Sequence, residues 1–190
     1  MQRYKAFTPG MQVRGRVIQA AVRCLNSEHL EPYLRQNGLL GRQDDLQPIL
    51  PDRWYSQQDW LNVLNALVEE SGSSSMSDLV SVGMTLANLL CDPADAGQGS
   101  LEEQLEAWGR AYQEQHRDGD AGELIVHRMG SKLIWVDTRT AYPDEILYGA
   151  IYAIASRYFP DRAAVTVRYD NSLPRRDQGG AVTRYMVSWT

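Results

Sequence analysis

Cysteine is scarce. Cys24 and Cys91 are the only two in 190 residues, too few for a disulfide framework. No C-x-x-C or H-x-x-x-H pair offers metal-ligand spacing, so no metal site made of the chain's own side chains is expected. Both cysteines suit the role of small core residues. No apolar run approaches the roughly 18 residues that a membrane span requires. The opening MQRYKAFTPG lacks the apolar core of a signal peptide, and a reducing cytoplasm is the expected setting. Positive charge is in deficit: 19 Lys and Arg stand against 24 Asp and Glu, a net charge of −5. That balance argues against nucleic acid or an anionic membrane as a partner. The G-x-G-x-x-G and P-loop patterns that cradle phosphates are missing. So is the G-x-S-x-G elbow, and no Ser or Cys has a recognisable base beside it. Asp44-Asp45 and Glu69-Glu70 fall on polar faces as solvated charge. An enzyme is not expected.

What is present is the composition of a soluble globular protein, with 43% hydrophobic and 23% charged residues. The length suits one domain, 1–190, in two parts: a helical part over 1–118 and an α/β part over 119–190. In the first part, Thr8-Pro9 suits a helix start, and Val13, Val17, Ala20 and Cys24 make one helical face. A second helix runs from Ser27 to the Asn37-Gly38 stop. Ser56 opens a helix with Trp60, Val63, Leu64 and Leu67 on one side. Another follows over Met76 to Leu90, where Gly83 and Ala87 form a small-residue step. Ser100-Leu-Glu-Glu103 is a capping box that opens a helix carrying Leu101, Leu105, Trp108 and Tyr112 inward.

After Asp118-Gly119-Asp120 the period changes from helical to alternating. ELIVHRM and KLIWVD flank Gly130-Ser131, which predicts a hairpin with a type II′ turn. Tyr142 to Phe159 (YPDEILYGAIYAIASRYF) is the helix around which this half is organised. Pro143 suits its first position, and Asp144 and Glu145 face the positive end of its dipole. Leu147, Ile151, Ile154 and Tyr158 form its buried stripe, with Gly149, Ala150 and Ala153 alongside to let it lie close to a flat surface. A second hairpin, with Val165, Val167 and Tyr169 alternating and then Tyr185, Val187 and Trp189, closes the chain. The fold class is therefore α+β: a helical half, then β-β-α-β-β forming a four-stranded antiparallel sheet with one helix packed on it.

This order, with LEEQLEAWGRAYQEQHRDGDAGELIV, AYPDEILYGAIYAIA and the terminal RYMVSW, resembles one superfamily, the ligand-binding domains of nitric-oxide signalling and Golgi transport. It comprises haem nitric-oxide/oxygen sensors, vinyl-reductase-type sensor domains and TRAPP tethering subunits. The resemblance implies a non-enzymatic sensor domain for a small, largely apolar ligand. Filling a cavity between the helical half and the organising helix would alter a contact with a protein partner or a homodimer. Two cofactors of the superfamily are not carried over. The last hairpin loop has no cysteines for zinc, and Tyr152-Ala-Ile-Ala-Ser156-Arg157 does not match the Tyr-x-Ser-x-Arg signature that holds haem propionates. No cofactor is expected. A haem-based NO/O2 sensor with His116 as the iron ligand is the alternative, and a scaffold or tethering subunit with a filled core is another.

Trp60, Trp108, Tyr112, Trp135 and Tyr152 are the candidate pocket lining, since ligand sites favour junctions between subdomains. Without haem, His116 would be a cation at a helix C-terminus, and His127 a hydrogen-bonded residue of the sheet. Arg175 and Arg176 are the candidate partner contact, at the tip of a long loop with Arg168 and Arg184 on its flanking strands.

Overall fold

The computed structural model describes residues 3–25, 27–41, 48–72, 75–91, 99–159 and 164–190. Asp44-Asp45 and most of the loop over 92–99 lie outside them. The helical part runs β1 (Gln12–Arg14), α1 (Gly15–Cys24), α2 (Ser27–Gln36), β2 (Trp54–Ser56), α3 (Gln57–Ser71), α4 (Ser75–Leu90), α5 (Leu101–Glu114) and β3 (His116–Arg117). The α/β part runs β4 (Gly122–Gly130), β5 (Leu133–Thr140), α6 (Asp144–Tyr158), β6 (Thr166–Tyr169), a 3-10 turn (Arg176–Gln178) and β7 (Thr183–Ser188).

Local chemistry fixes the helix starts. The Ser56 hydroxyl accepts from the Asp59 N–H at 3.2 Å. At α5 the capping box is complete: the Ser100 hydroxyl accepts from Glu103 N–H, and the Glu103 carboxylate accepts from Ser100 N–H at 2.7 Å. Pro143 is the N-cap of α6, one position earlier than its ring geometry suggested.

The large sheet is antiparallel, in the order β4-β5-β7-β6. Gly130 pairs with Leu133, which places the hairpin turn at Ser131-Lys132, one residue later than the sequence suggests. Ile134, Val136, Val167, Tyr185 and Val187 form the core face, and Trp135, Asp137, Arg184 and Met186 alternate onto the other. Two tyrosines tie α6 to the core side. The Tyr185 hydroxyl donates to the Asp144 carbonyl at 2.8 Å, and the Tyr148 hydroxyl to the Val167 carbonyl at 3.0 Å.

α6 is buried on nearly every side from Asp144 to Ala155, as expected of a helix apolar all round. Its small residues have a different partner from the one expected. Gly149 faces α4, where a Cβ would lie 2.0 Å from the Val80 carbonyl oxygen. Gly83 of α4 is equally close to α6, its Cβ position 1.9 Å from the Ile146 carbonyl oxygen. Reciprocal glycines bring the two backbones together, so the flat surface they serve is a helix and not the sheet.

A second sheet, β2-β1-β3, had no counterpart in the sequence reading. Val13 pairs with Tyr55 on one side and His116 on the other, all antiparallel. Strands of two or three residues are too short for alternation to register as a pattern. Residues 12–14 are therefore strand, and α1 begins at Gly15 rather than near Thr8-Pro9. Gly15 is required there, because a Cβ would sit 2.0 Å from the Leu50 carbonyl oxygen.

Candidate functional site

The helices of the first part and α6 enclose an apolar cavity. Its walls include Trp60 of α3, Leu86 of α4, Trp108 and Tyr112 of α5, and Ile146 and Leu147 of α6. Its polar groups come from Gln115, His116 and Tyr142. As closed, it offers a water-sized guest about 20 Å³, room for about one molecule.

His116 is placed by the end of α5 and the start of β3. Its Nδ1 lies 2.8 Å from the Tyr112 carbonyl oxygen, and its Nε2 lies 2.8 Å from the Tyr142 hydroxyl. A carbonyl can only accept, so Nδ1 carries the proton. Nε2 is then the lone-pair nitrogen, and the Tyr142 hydroxyl donates to it. The Tyr112 ring lies against the imidazole at a tilt of 45°, with ring centroids 4.6 Å apart. The Tyr112 hydroxyl donates to the Ala121 carbonyl at 2.8 Å. Burial holds the His116 pKa down to about 4 against the opposing pull of the Tyr112 carbonyl. The imidazole is therefore neutral at physiological pH. The expectation of a cation at a helix end fails here because desolvation outweighs the helix dipole.

Several buried polar atoms around this group lack partners. Trp108 Nε1 and Gln115 Oε1 have none, and neither side-chain atom of the fully buried Gln57 forms a hydrogen bond of good geometry. Gln57 adjoins the Tyr142 hydroxyl. Orphaned atoms of this kind are rare in native interiors, and these are the polar groups here that a water or another bound group can satisfy.

The expected lining residues divide. Trp60, Trp108 and Tyr112 share the cavity. Trp135 sits on the outer sheet face, with the Arg184 guanidinium 4.5 Å from its ring, and Tyr152 is 37% exposed. Tyr142, Gln57 and Gln115 were missed. Gln57 follows an N-cap and reads as surface, and Tyr142 reads only as the start of the organising helix. His127 is half-exposed, 3.6 Å from Asp137.

The arginines of the last loop are packed, not free at a solvated tip. Arg175 lies over the Tyr169 ring at 4.5 Å and 3.5 Å from both Glu145 and Asp177. Asp177 also pairs with Arg3, and Arg176 lies over Phe7. Arg184 grips Asp137 with two hydrogen bonds of 2.6 and 2.8 Å. The loop thus closes over the start of α6. There burial, and then the neighbouring Asp177, raise the Asp144 pKa to about 7.

No family model and no curated protein matches the sequence. Among solved structures, the chain has the fold of H-NOX domains. A mutant H-NOX of T. tengcongensis aligns with a TM-score of 0.66 at 13% identity, over 93% of this chain and 94% of that one. An Fe(II) unliganded mutant from K. algicida gives 0.66 at 8% identity over 93% and 96%. An Fe(II) mutant from S. oneidensis gives 0.65 at 9% identity over 93% and 96%. A fourth structure, described as a study of haem redox potential modulated by porphyrin distortion, aligns at 0.59 and 14% identity. These neighbours overturn the expectation of a cofactor-free domain, since the fold is one that carries haem in them. An aromatic-x-polar-x-Arg triplet does occur at Trp135-Val-Asp137-Thr-Arg139. Strand alternation turns it onto the outer sheet face, where Arg139 pairs with Asp120. The chain shares the H-NOX fold over 93% of its length and sets a neutral, buried histidine at the cavity between its helices.

Proposed function

We propose that the chain is a non-enzymatic, haem-based sensor domain in which His116 is the single protein ligand to iron. The observation that carries this reading is the pair of hydrogen bonds on the imidazole. Nδ1–H is committed to a backbone carbonyl, the arrangement that fixes the tautomer of a ligating histidine. Nε2 keeps its lone pair, capped only by a hydroxyl. Among the described residues no three His, Cys, Asp or Glu side chains group as metal ligands. A bare ion therefore lacks donors, whereas iron held in a porphyrin brings its own ring nitrogens and asks the protein for one more.

Bound haem would supply an iron centre able to take a diatomic gas. The chain's residues perform the remaining tasks. Trp60, Trp108, Leu86 and Ile146 make an apolar wall that excludes water. Tyr142 has to release Nε2 and the helices have to separate, because the closed cavity admits only a water-sized guest. Such a displacement is what lets a bound group bias two conformations.

Titrating haem into the full chain should quench Trp60 and Trp108 emission, with an endpoint at one haem per chain. His116→Ala should weaken binding on the order of 100-fold, the scale on which metal sites respond to loss of ligand support. Equal quenching in the variant, or none in the parent, refutes the assignment.

A further inference from the structure

We infer that the outward face of the small sheet β2-β1-β3 is a docking surface for an acidic segment of a partner protein, and that its occupancy is transmitted to His116. Alternation divides this sheet cleanly. Val13, Tyr55 and His116 are buried on the inner side, and Gln12, Arg14, Trp54 and Arg117 face outward. The Arg14 and Arg117 guanidiniums lie 5.1 and 4.5 Å from the Trp54 ring centroid.

In an acidic chain this face gathers positive charge around one indole, with Arg14 and Arg117 both against Trp54. Arg175, Arg184, Arg139 and Arg3 each have a carboxylate partner. On the small sheet, Arg16 pairs with Asp52, and Arg117 is 3.4 Å from Asp118. Arg14 has no carboxylate among the described residues, and its Nε lacks any acceptor. Arginine forks bind carboxylates bidentately, and Trp and Arg are both enriched among the residues that carry most of an interface's binding energy. Nucleic acid fits less well, because three short strands offer few phosphate contacts.

The sheet is also the shortest mechanical link to the cavity. Arg117 and His116 are consecutive on β3 and point to opposite faces, in register with Gln12 and Val13 of β1. A partner that pulls on Arg117 shifts the strand holding the imidazole against Tyr142. The docking surface stands on its own residues, and only its role as the output of a haem sensor rests on the proposed function.

The test uses the full chain as purified, with a fluorescein-labelled octaglutamate peptide followed by anisotropy at low salt. The peptide should bind, and the double variant Arg14→Gln, Arg117→Gln should weaken it about 10-fold or more. Arg168→Glu, on the large sheet, should leave affinity unchanged. The neutral glutamines keep a polar side chain with the same first three carbons, and an unaltered melting curve confirms that the variant is folded. On saturation the His116 Cε1–H resonance should shift. Equal affinity in the double variant, tighter binding of oligothymidylate than of octaglutamate, or an unmoved His116 resonance each overturns the inference. None of these readings requires haem, so a failed haem titration leaves them intact.

Discussion

Gly149→Val is expected to lower the melting temperature by roughly 6–12 °C, as a loss of about 3 kcal/mol does in a chain of this size. A Cβ at Gly149 would stand 2.0 Å from the Val80 carbonyl oxygen, with the Val80 carbonyl carbon and Cα also within about 3 Å. All are backbone atoms, so no rotamer change relieves the clash and α4 must move away from α6. Those two helices supply Leu86, Ile146 and Leu147 to the cavity wall. Separating them therefore costs packing on both sides of the site. Gly83→Val should act alike, since its Cβ would lie 1.9 Å from the Ile146 carbonyl oxygen. Calorimetry on both variants checks the claim, and unchanged melting would show that the helices are not in backbone contact.

The second large effect is hidden in the native pH profile and should appear in single variants. His116 has a folded pKa of about 4 against an ordinary 6.5, so on acidification the unfolded chain takes its proton first. The stability due to neutral His116 is full above about 6.5 and is lost as pH falls toward 4, on the order of 3 kcal/mol. Asp144 has the opposite sign. Its folded pKa is raised to about 7 from 3.8, so its contribution is full at low pH and is lost as pH rises through 7. Between about pH 4 and 6.5 the two slopes oppose each other. His116→Gln should expose the Asp144 slope, with stability falling as pH rises. Asp144→Asn should expose the His116 slope, with stability rising. Urea unfolding at several pH values measures both. Variants whose profiles parallel the parent's would show that neither group is buried as described.

The elements legible in the sequence were those whose signal is local. The Ser100–Glu103 capping box announced α5, the Ser56 cap announced α3, and period-2 runs on either side of α6 announced the large sheet. The site was harder, because its determinants are contacts distant in sequence. His116 looks like a charged helix end until Val13 of β1 and Tyr142, 26 residues away, are brought against it. The small sheet was invisible for the same reason, its strands lying near residues 12, 54 and 116 with two or three residues each. Gly149 advertised a close approach but not which surface approached. The arginines of the last loop appeared as a free basic cluster because Glu145 and Arg3, which engage them and Asp177, are remote in the chain. Trp60, Trp108 and Tyr112 emerged from helical periodicity alone, while Trp135 was a strand residue whose face alternation decided against the cavity.

The central claim is that Nε2 of His116 is an iron-ligating atom, and the most direct measurement is the absorption spectrum of protein purified from haem-replete cells. The parent should carry a Soret band. His116→Gly should lose it and recover it when imidazole is added, because free imidazole can occupy the space the side chain left. A parent without a Soret band, or a His116→Gly variant that keeps one with no imidazole present, would contradict the assignment.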